Sequence, residues 1–141
     1  MKKSVLSLLV VLLVFVNVFA YAGVREEIEV VITPFYVYTD NLTANLTIDS
    51  SGNATCRGVV IPKDSSYSCS ITVKLKRQSG SSWSTIATWT GSGQGYAGAS
   101  AGGTKKVSSG YNNMVSVSTV VKNSSGSVIE QPSKNSGVKT Y

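Results

Sequence analysis

The stretch that decides the fold is SCSITVKLKRQSGSSWSTIATWT, which spans residues 68–90. Ile71, Val73 and Leu75 alternate with polar residues, as in a strand that has one face in the core and the other in water. The segment 79–81, Ser-Gly-Ser, provides a tight connection, after which the chain returns as a partner strand. The stretch therefore predicts an antiparallel β-hairpin.

The same period-two alternation continues on both sides of this hairpin. Further strands are predicted at residues 41–48, 54–61, 114–121 and 127–131, and an N-terminal strand is predicted at residues 27–38. No sustained apolar spacing of three and four indicates a helix after residue 22. Six or seven short strands separated by turns predict an all-β domain, a two-sheet antiparallel sandwich.

The first 22 residues have the pattern of a secretory signal peptide. Lys2 and Lys3 precede an apolar run over residues 5–16, and Ala20-Tyr21-Ala22 presents small residues at the cleavage positions. A retained membrane anchor is the alternative, because residues 5–22 approach the length that crosses a bilayer. We expect cleavage, and hence a secreted protein without stable membrane insertion.

Three segments of the chain follow from these patterns. Residues 1–22 are the predicted signal peptide, residues 23–40 an N-terminal segment or strand, and residues 41–141 the β-sandwich domain. Six glycines lie in residues 91–103, which predicts either a long flexible crossing between the sheets or a local glycine-rich loop, since glycine adds backbone entropy and no side chain.

Cys56 and Cys69 are the only two cysteines. An exported chain meets an oxidising compartment, in which a single pair usually bonds, so a structural disulfide is predicted. A redox pair would have the shorter Cys-x-x-Cys spacing, and a chain without histidine offers a poor zinc site. We expect neither a metal nor a cofactor.

Groups for catalysis are scarce in this sequence. The chain has no histidine, the commonest general base, and only seven acidic residues. A hydrolase would need two of these carboxylates to converge in a cleft. We expect no catalytic residues, although Asp40 and Asp49 could approach each other across the first hairpin.

The formal net charge is +6, and it falls to +4 when residues 1–22, with Lys2 and Lys3, are removed. Lys74 and Lys76 belong to the densest cationic group. They form either a solvated strand face or a surface that attracts anionic wall polymers or membranes. We expect no nucleic-acid partner.

Trp83 and Trp89 fall on one face of the returning strand if it alternates regularly. Exposed, they would form an aromatic strip for a polysaccharide; turned inward, they would fill the core, where aromatic rings gain most from burial. Trp83, Trp89, Lys74 and Lys76 are therefore the candidate binding residues.

The order of the predicted strands resembles an immunoglobulin or fibronectin type III domain, and residues 107–111, Val-Ser-Ser-Gly-Tyr, resemble the turn and tyrosine before its penultimate strand. Over roughly residues 35–130 the chain also resembles a family of small secreted, uncharacterised proteins of Gram-positive bacteria. That resemblance is carried by the two cysteines, Ser-Gly-Ser-Ser-Trp at 79–83 and Ser-Ser-Gly-Tyr at 108–111. It implies a secreted β-domain and no defined activity.

Three functions remain open at this point. The first is a secreted non-catalytic module that acts by surface contact at the cell envelope or outside the cell, with a wall polymer, a glycan or another extracellular protein as partner. The second is carbohydrate or wall-polymer binding through the tryptophans. The third is a basic antimicrobial or toxin-like protein.

Overall fold

The alternation of residues 68–90 is present in the structure as two long paired strands. The structure is a computed structural model that describes residues 35–141. The predicted signal peptide lies outside the described residues, as does most of the predicted strand at 27–38. The described part of that segment, residues 35–38, is not a strand.

Nine strands account for most of the described chain. They are β1 (Thr39–Ile48), β2 (Asn53–Pro62), β3 (Ser68–Ser79), β4 (Ser82–Gln94), β5 (Ala99–Lys106), β6 (Asn112–Lys122), β7 (Val128–Glu130), β8 (Ser133–Asn135) and β9 (Lys139–Thr140). A 3-10 turn at Gly95–Ala97 joins β4 to β5. Within residues 35–141 no helix is both long and apolar enough to cross a membrane.

The strands form two antiparallel sheets that pack as a sandwich. One sheet has three strands in the order β1-β2-β5, and the other has six, with β4-β3-β6-β7 as its main path. Strands β8 and β9 also pair with β6, so the chain after β6 returns along it in three short pieces. Pro132, which has no N–H to donate, lies between the first two pieces.

The core lies between the sheets and is built from the inward side of each alternating strand. In β3 the inward residues are fully buried while their neighbours are exposed or half-buried, as the sequence predicted. The buried apolar residues are Leu42, Leu46, Ala54, Cys56, Val60, Cys69, Ile71, Val73, Leu75, Ala99, Val107, Val115, Val117 and Val121.

Gly58, in the middle of β2, lets the two sheets approach each other. A Cβ atom placed on Gly58 would lie 2.7 Å from a methyl of Val73 and 2.9 Å from a methyl of Val117. Both contacts are closer than side chains normally tolerate, so the distance between the sheets depends on the missing side chain.

The prediction of a flexible loop at residues 91–103 is wrong. Most of the segment is strand, at the end of β4 and the start of β5. A Cβ atom at Gly91 would overlap the carbonyl oxygen of Ser100, and one at Gly93 would overlap that of Gly98. The glycines are therefore needed because β4 and β5 touch backbone to backbone at this side of the sandwich.

Glu130 fixes the point at which the chain enters the sandwich. Its carboxylate accepts hydrogen bonds from the backbone N–H of Val37 (2.7 Å), from the N–H of Tyr38 and from the hydroxyl of Thr39 (2.6 Å). Since charged hydrogen bonds are the stronger kind, β7 holds the residues that lead into β1.

We predict that Gly58→Val lowers the free energy of unfolding by about 1–3 kcal/mol, because the added methyl groups overlap Val73 and Val117. Chemical denaturation measures the effect. Gly137→Val is the matched control, since a Cβ atom there meets nothing within 4 Å. Equal stability of the two variants would mean that the sheets do not touch at Gly58.

Candidate functional site

The outer face of the six-stranded sheet is a regular polar surface of the described chain. On β3 it presents Ser70, Thr72, Lys74, Lys76 and Gln78, which alternate with the buried core residues. The neighbouring strands continue the face with hydroxyl side chains and with Met114 and Val120 of β6, which pair with Lys76 and Ser70. Thr88, Thr90 and Ser92 lie beside it on β4, and Ser116 and Ser118 on β6.

The two tryptophans do not share a face, so the prediction of a single aromatic strip or a single core pair is wrong. Leu75 pairs with Ala87, but the next residue, Lys76, pairs with Thr85. Ile86 is therefore an extra residue, a β-bulge, and a bulge reverses the alternation of a strand.

Trp83 lies before this bulge and Trp89 after it. Trp83 pairs with Gln78, so it stands on the outer face, where it is partly exposed. Trp89 pairs with buried Val73 and packs against the core. A Cβ atom at Gly103 would overlap the Trp89 indole, which shows how closely the ring covers β5.

Three of the four predicted binding residues thus come together on one surface. Lys74 pairs with Thr88, Lys76 with Thr85, and Trp83 follows at the next outward position on β4. The Cα atoms of Lys74 and Lys76 are about 6.6 Å apart, the repeat of two residues in a strand. The fourth candidate, Trp89, is partly buried and packs against the core.

Lys122 extends the positive charge of this face and was missed by the sequence reasoning. It ends β6 opposite Ser68 and borders a surface cavity of about 490 Å³. Serine and glutamine side chains, those of Ser68, Ser70, Ser92 and Gln94, also line the cavity. Only the register between β3 and β6 places Lys122 in line with the β3 lysines.

None of the acidic side chains in residues 35–141 lies on the outer face. Asp49 sits in the β1–β2 turn, Asp64 in the β2–β3 connection, and Asp40 near the start of β1. Glu130 pairs with buried Val121 and therefore points to the inner side. The outer face is consequently cationic. The described residues as a whole are also net positive, with ten Lys and Arg and four Asp and Glu.

The described carboxylates instead hold the backbone in place. Asp49 accepts hydrogen bonds from the side chain of Asn53, from its N–H and from that of Ser51. These bonds, the Asn53 side chain first, lower the pKa of Asp49. The hydroxyl and N–H of Ser66 likewise lower the pKa of Asp64. In residues 35–141 no three acidic, cysteine or histidine side chains cluster for a metal ion.

The predicted disulfide between Cys56 and Cys69 is not present; both are buried free thiols. Cys56 pairs with Gly103, which lies under Trp89, and Trp89 pairs with Val73. Cys56 therefore lies across the sandwich from Val73. Cys69 is four residues from Val73 along β3, a distance of about 13 Å. A disulfide needs Cα atoms within about 7 Å, so the two sulfurs are too distant to join.

Burial keeps both thiols protonated. It raises the pKa of Cys56 to about 11 and also raises that of Cys69, where a hydrogen bond with the Gly93 backbone acts in the opposite direction. Because the thiolate is the reactive form, neither sulfur is set up as a nucleophile.

The chain matches no protein-family model, no curated protein and no solved structure.

We predict that both cysteines resist iodoacetamide at pH 8 in the folded protein and react rapidly after unfolding in guanidinium, without added reductant. Unfolding exposes the sulfurs and returns their pKa to about 8.5. Because burial raises the pKa of both thiols in the folded protein, the stability that the protonated thiols contribute is complete below about pH 8.5 and declines above it. Mass spectrometry counts the labelled thiols. Labelling of the unfolded chain only after reduction would show that the thiols are joined.

Proposed function

We propose that this chain is an exported, non-catalytic β-sandwich module that acts by surface contact at the cell envelope or outside the cell. Its contact surface is the outer face of the six-stranded sheet. The partner is an anionic cell-surface polymer, bound through Lys74, Lys76 and Trp83. The observation that carries this proposal is the positive charge of a broad hydroxyl-rich face on which no described carboxylate lies.

Export is supported by the sequence of residues 1–22, which has the charged start, apolar run and small cleavage residues of a signal peptide. The resemblance to small secreted proteins of Gram-positive bacteria agrees with this destination. Export brings a cationic face to the compartment that contains anionic surface polymers.

The immunoglobulin-like or fibronectin type III-like architecture is supported by the strand order. The first, second and fifth strands form one sheet, and the third and sixth form the other with the returning chain after them. In immunoglobulin terms these are strands A, B and E against C, F and G, with β4 as C′ beside C. Domains of this class bind many kinds of partner, so the fold alone names none.

A non-catalytic role is supported by the use of the carboxylates. Asp49 and Asp64 each hold a turn, and Glu130 holds the entrance to β1. The outer face offers hydroxyl, amide and ammonium groups, which bind anions and leave no base beside a nucleophile.

Trp83 adds an apolar contact beside the cations. The ring is partly exposed. Trp83 occupies the next outward position of β4 after Thr85, the residue that pairs with Lys76. An indole face packs well on the carbon atoms of a sugar or polyol, so it favours a polymer that has such units between its charges.

We predict that Lys74→Ser/Lys76→Ser weakens binding to immobilised linear polyphosphate by about tenfold, since two exposed charge contacts are lost. Surface plasmon resonance at low salt measures the change, and high salt should abolish it. The control is Lys105→Ser/Lys139→Ser, which removes the same charge from exposed positions off this face.

The two double variants separate a site from general charge attraction. Equal weakening by both would show that net charge alone attracts the polymer and would remove the proposal. Trp83→Ser should leave binding to polyphosphate unchanged and weaken binding to a polymer with glycerol units between its phosphates.

A further inference from the structure

The cavity at the other end of the outer face has the chemistry of an anion subsite. It is lined by Lys122, Ser68, Ser70, Ser92 and Gln94, and Val120 also lines it. Five residues with donor side chains thus border one open space of about 490 Å³, and one of them is cationic. No acidic side chain lines it.

The number of donors favours a tetrahedral oxyanion over a carboxylate. A phosphate or sulfate ester presents three or more acceptor oxygens, whereas a carboxylate presents two in one plane. Hydroxyls that rotate, together with one ammonium, can satisfy several oxygens at different angles. The cavity therefore fits the charged group of a phosphate or sulfate ester.

The position of the cavity relates it to the lysine pair. Lys122 lies opposite Ser68, and Lys74 is six residues further along β3. Six residues of strand span about 20 Å. Between the two ends lie Ser70 and Thr72 on β3, which continue a line of hydroxyls on the same face.

We propose that the Lys122 cavity is a second subsite of the outer face and that one linear polymer with phosphate or sulfate groups occupies both ends. This inference rests on the proposed function, because the lysine pair is the other end. The polymer runs along β3 from Lys122, over Thr72, to Lys74 and Lys76. Binding at one end raises the effective concentration of the next charged group at the other end.

The test compares linear polyphosphate chains shorter and longer than about 20 Å, the span between the two ends. The parent protein should bind the longer chain at least tenfold more tightly, since linked subsites add avidity. Lys122→Ser should remove this length advantage and leave the affinity for the short chain within about twofold, because the lysine pair is intact. Isothermal titration calorimetry measures both affinities.

A second variant distinguishes loss of the cavity from loss of one positive charge. Ser92→Phe fills the cavity without changing the net charge and should also remove the length advantage. Lys105→Ser is the matched charge control and should retain it. Dextran sulfate chains of the same two lengths separate sulfate from phosphate recognition, and neutral dextran should not bind.

The outcomes distinguish this inference from the proposed function. If Lys74→Ser/Lys76→Ser leaves all binding unchanged, the proposed function fails. If that variant weakens binding but the parent shows no length advantage, or Lys122→Ser and Ser92→Phe retain it, the bridging inference fails alone. Loss of the advantage in both variants, with Lys105→Ser unaffected, supports it.

Discussion

The fold depends on backbone contact between its two sheets, at positions where no side chain could fit. Gly58 faces the methyl groups of Val73 and Val117, Gly91 meets a carbonyl of β5, and Gly93 meets the carbonyl of Gly98 just before β5. Interiors are packed as densely as organic crystals, so a single Cβ atom at these positions would move a whole strand. A small domain without a disulfide gains its stability from this close packing of short aliphatic side chains on bare backbone.

The same packing separates the two surfaces of the six-stranded sheet. Because the inner side is filled by aliphatic residues, Ser70, Thr72, Lys74, Lys76 and Gln78 of β3 lie on the outer side in one row, whereas Arg77 pairs with buried Asn113. The bulge at Ile86 then places the two tryptophans on different faces. Trp89 packs over Gly103 on the inner side, and Trp83 lies on the outer side beside the lysines. One extra residue in β4 therefore separates a tryptophan that packs against the core from one that lies on the outer face.

The strands could be predicted from the sequence because period-two alternation is a local property. Residues 41–48, 54–61 and 114–121 all lie within observed strands, and the turn at 79–81 joins β3 to β4. The sandwich followed from the number and length of these strands. Lys74 and Lys76 could be placed on an outward face for the same reason, since they alternate with Val73 and Leu75.

The remaining features depend on pairing between distant strands, which the sequence does not encode locally. An inserted residue such as Ile86 leaves no break in composition, so the reversal of alternation was invisible. Cys56 and Cys69 are 13 positions apart in the sequence, yet they sit on different sheets at different levels. The glycines after Thr90 indicate flexibility when the sequence is considered alone, because their neighbours across the sandwich come from another strand. Lys122 joined the surface only through the β3–β6 register.

The divided return of the chain along β6 also affects how molecules behave next to one another. A long exposed strand edge is a template on which a second chain can add and aggregate. Here that side of the sheet is made of pieces of only two or three residues, separated by Pro132 and by the irregular residues 136–138. Copies of the chain therefore meet a ragged margin on this side, which discourages their sheets from pairing edge to edge.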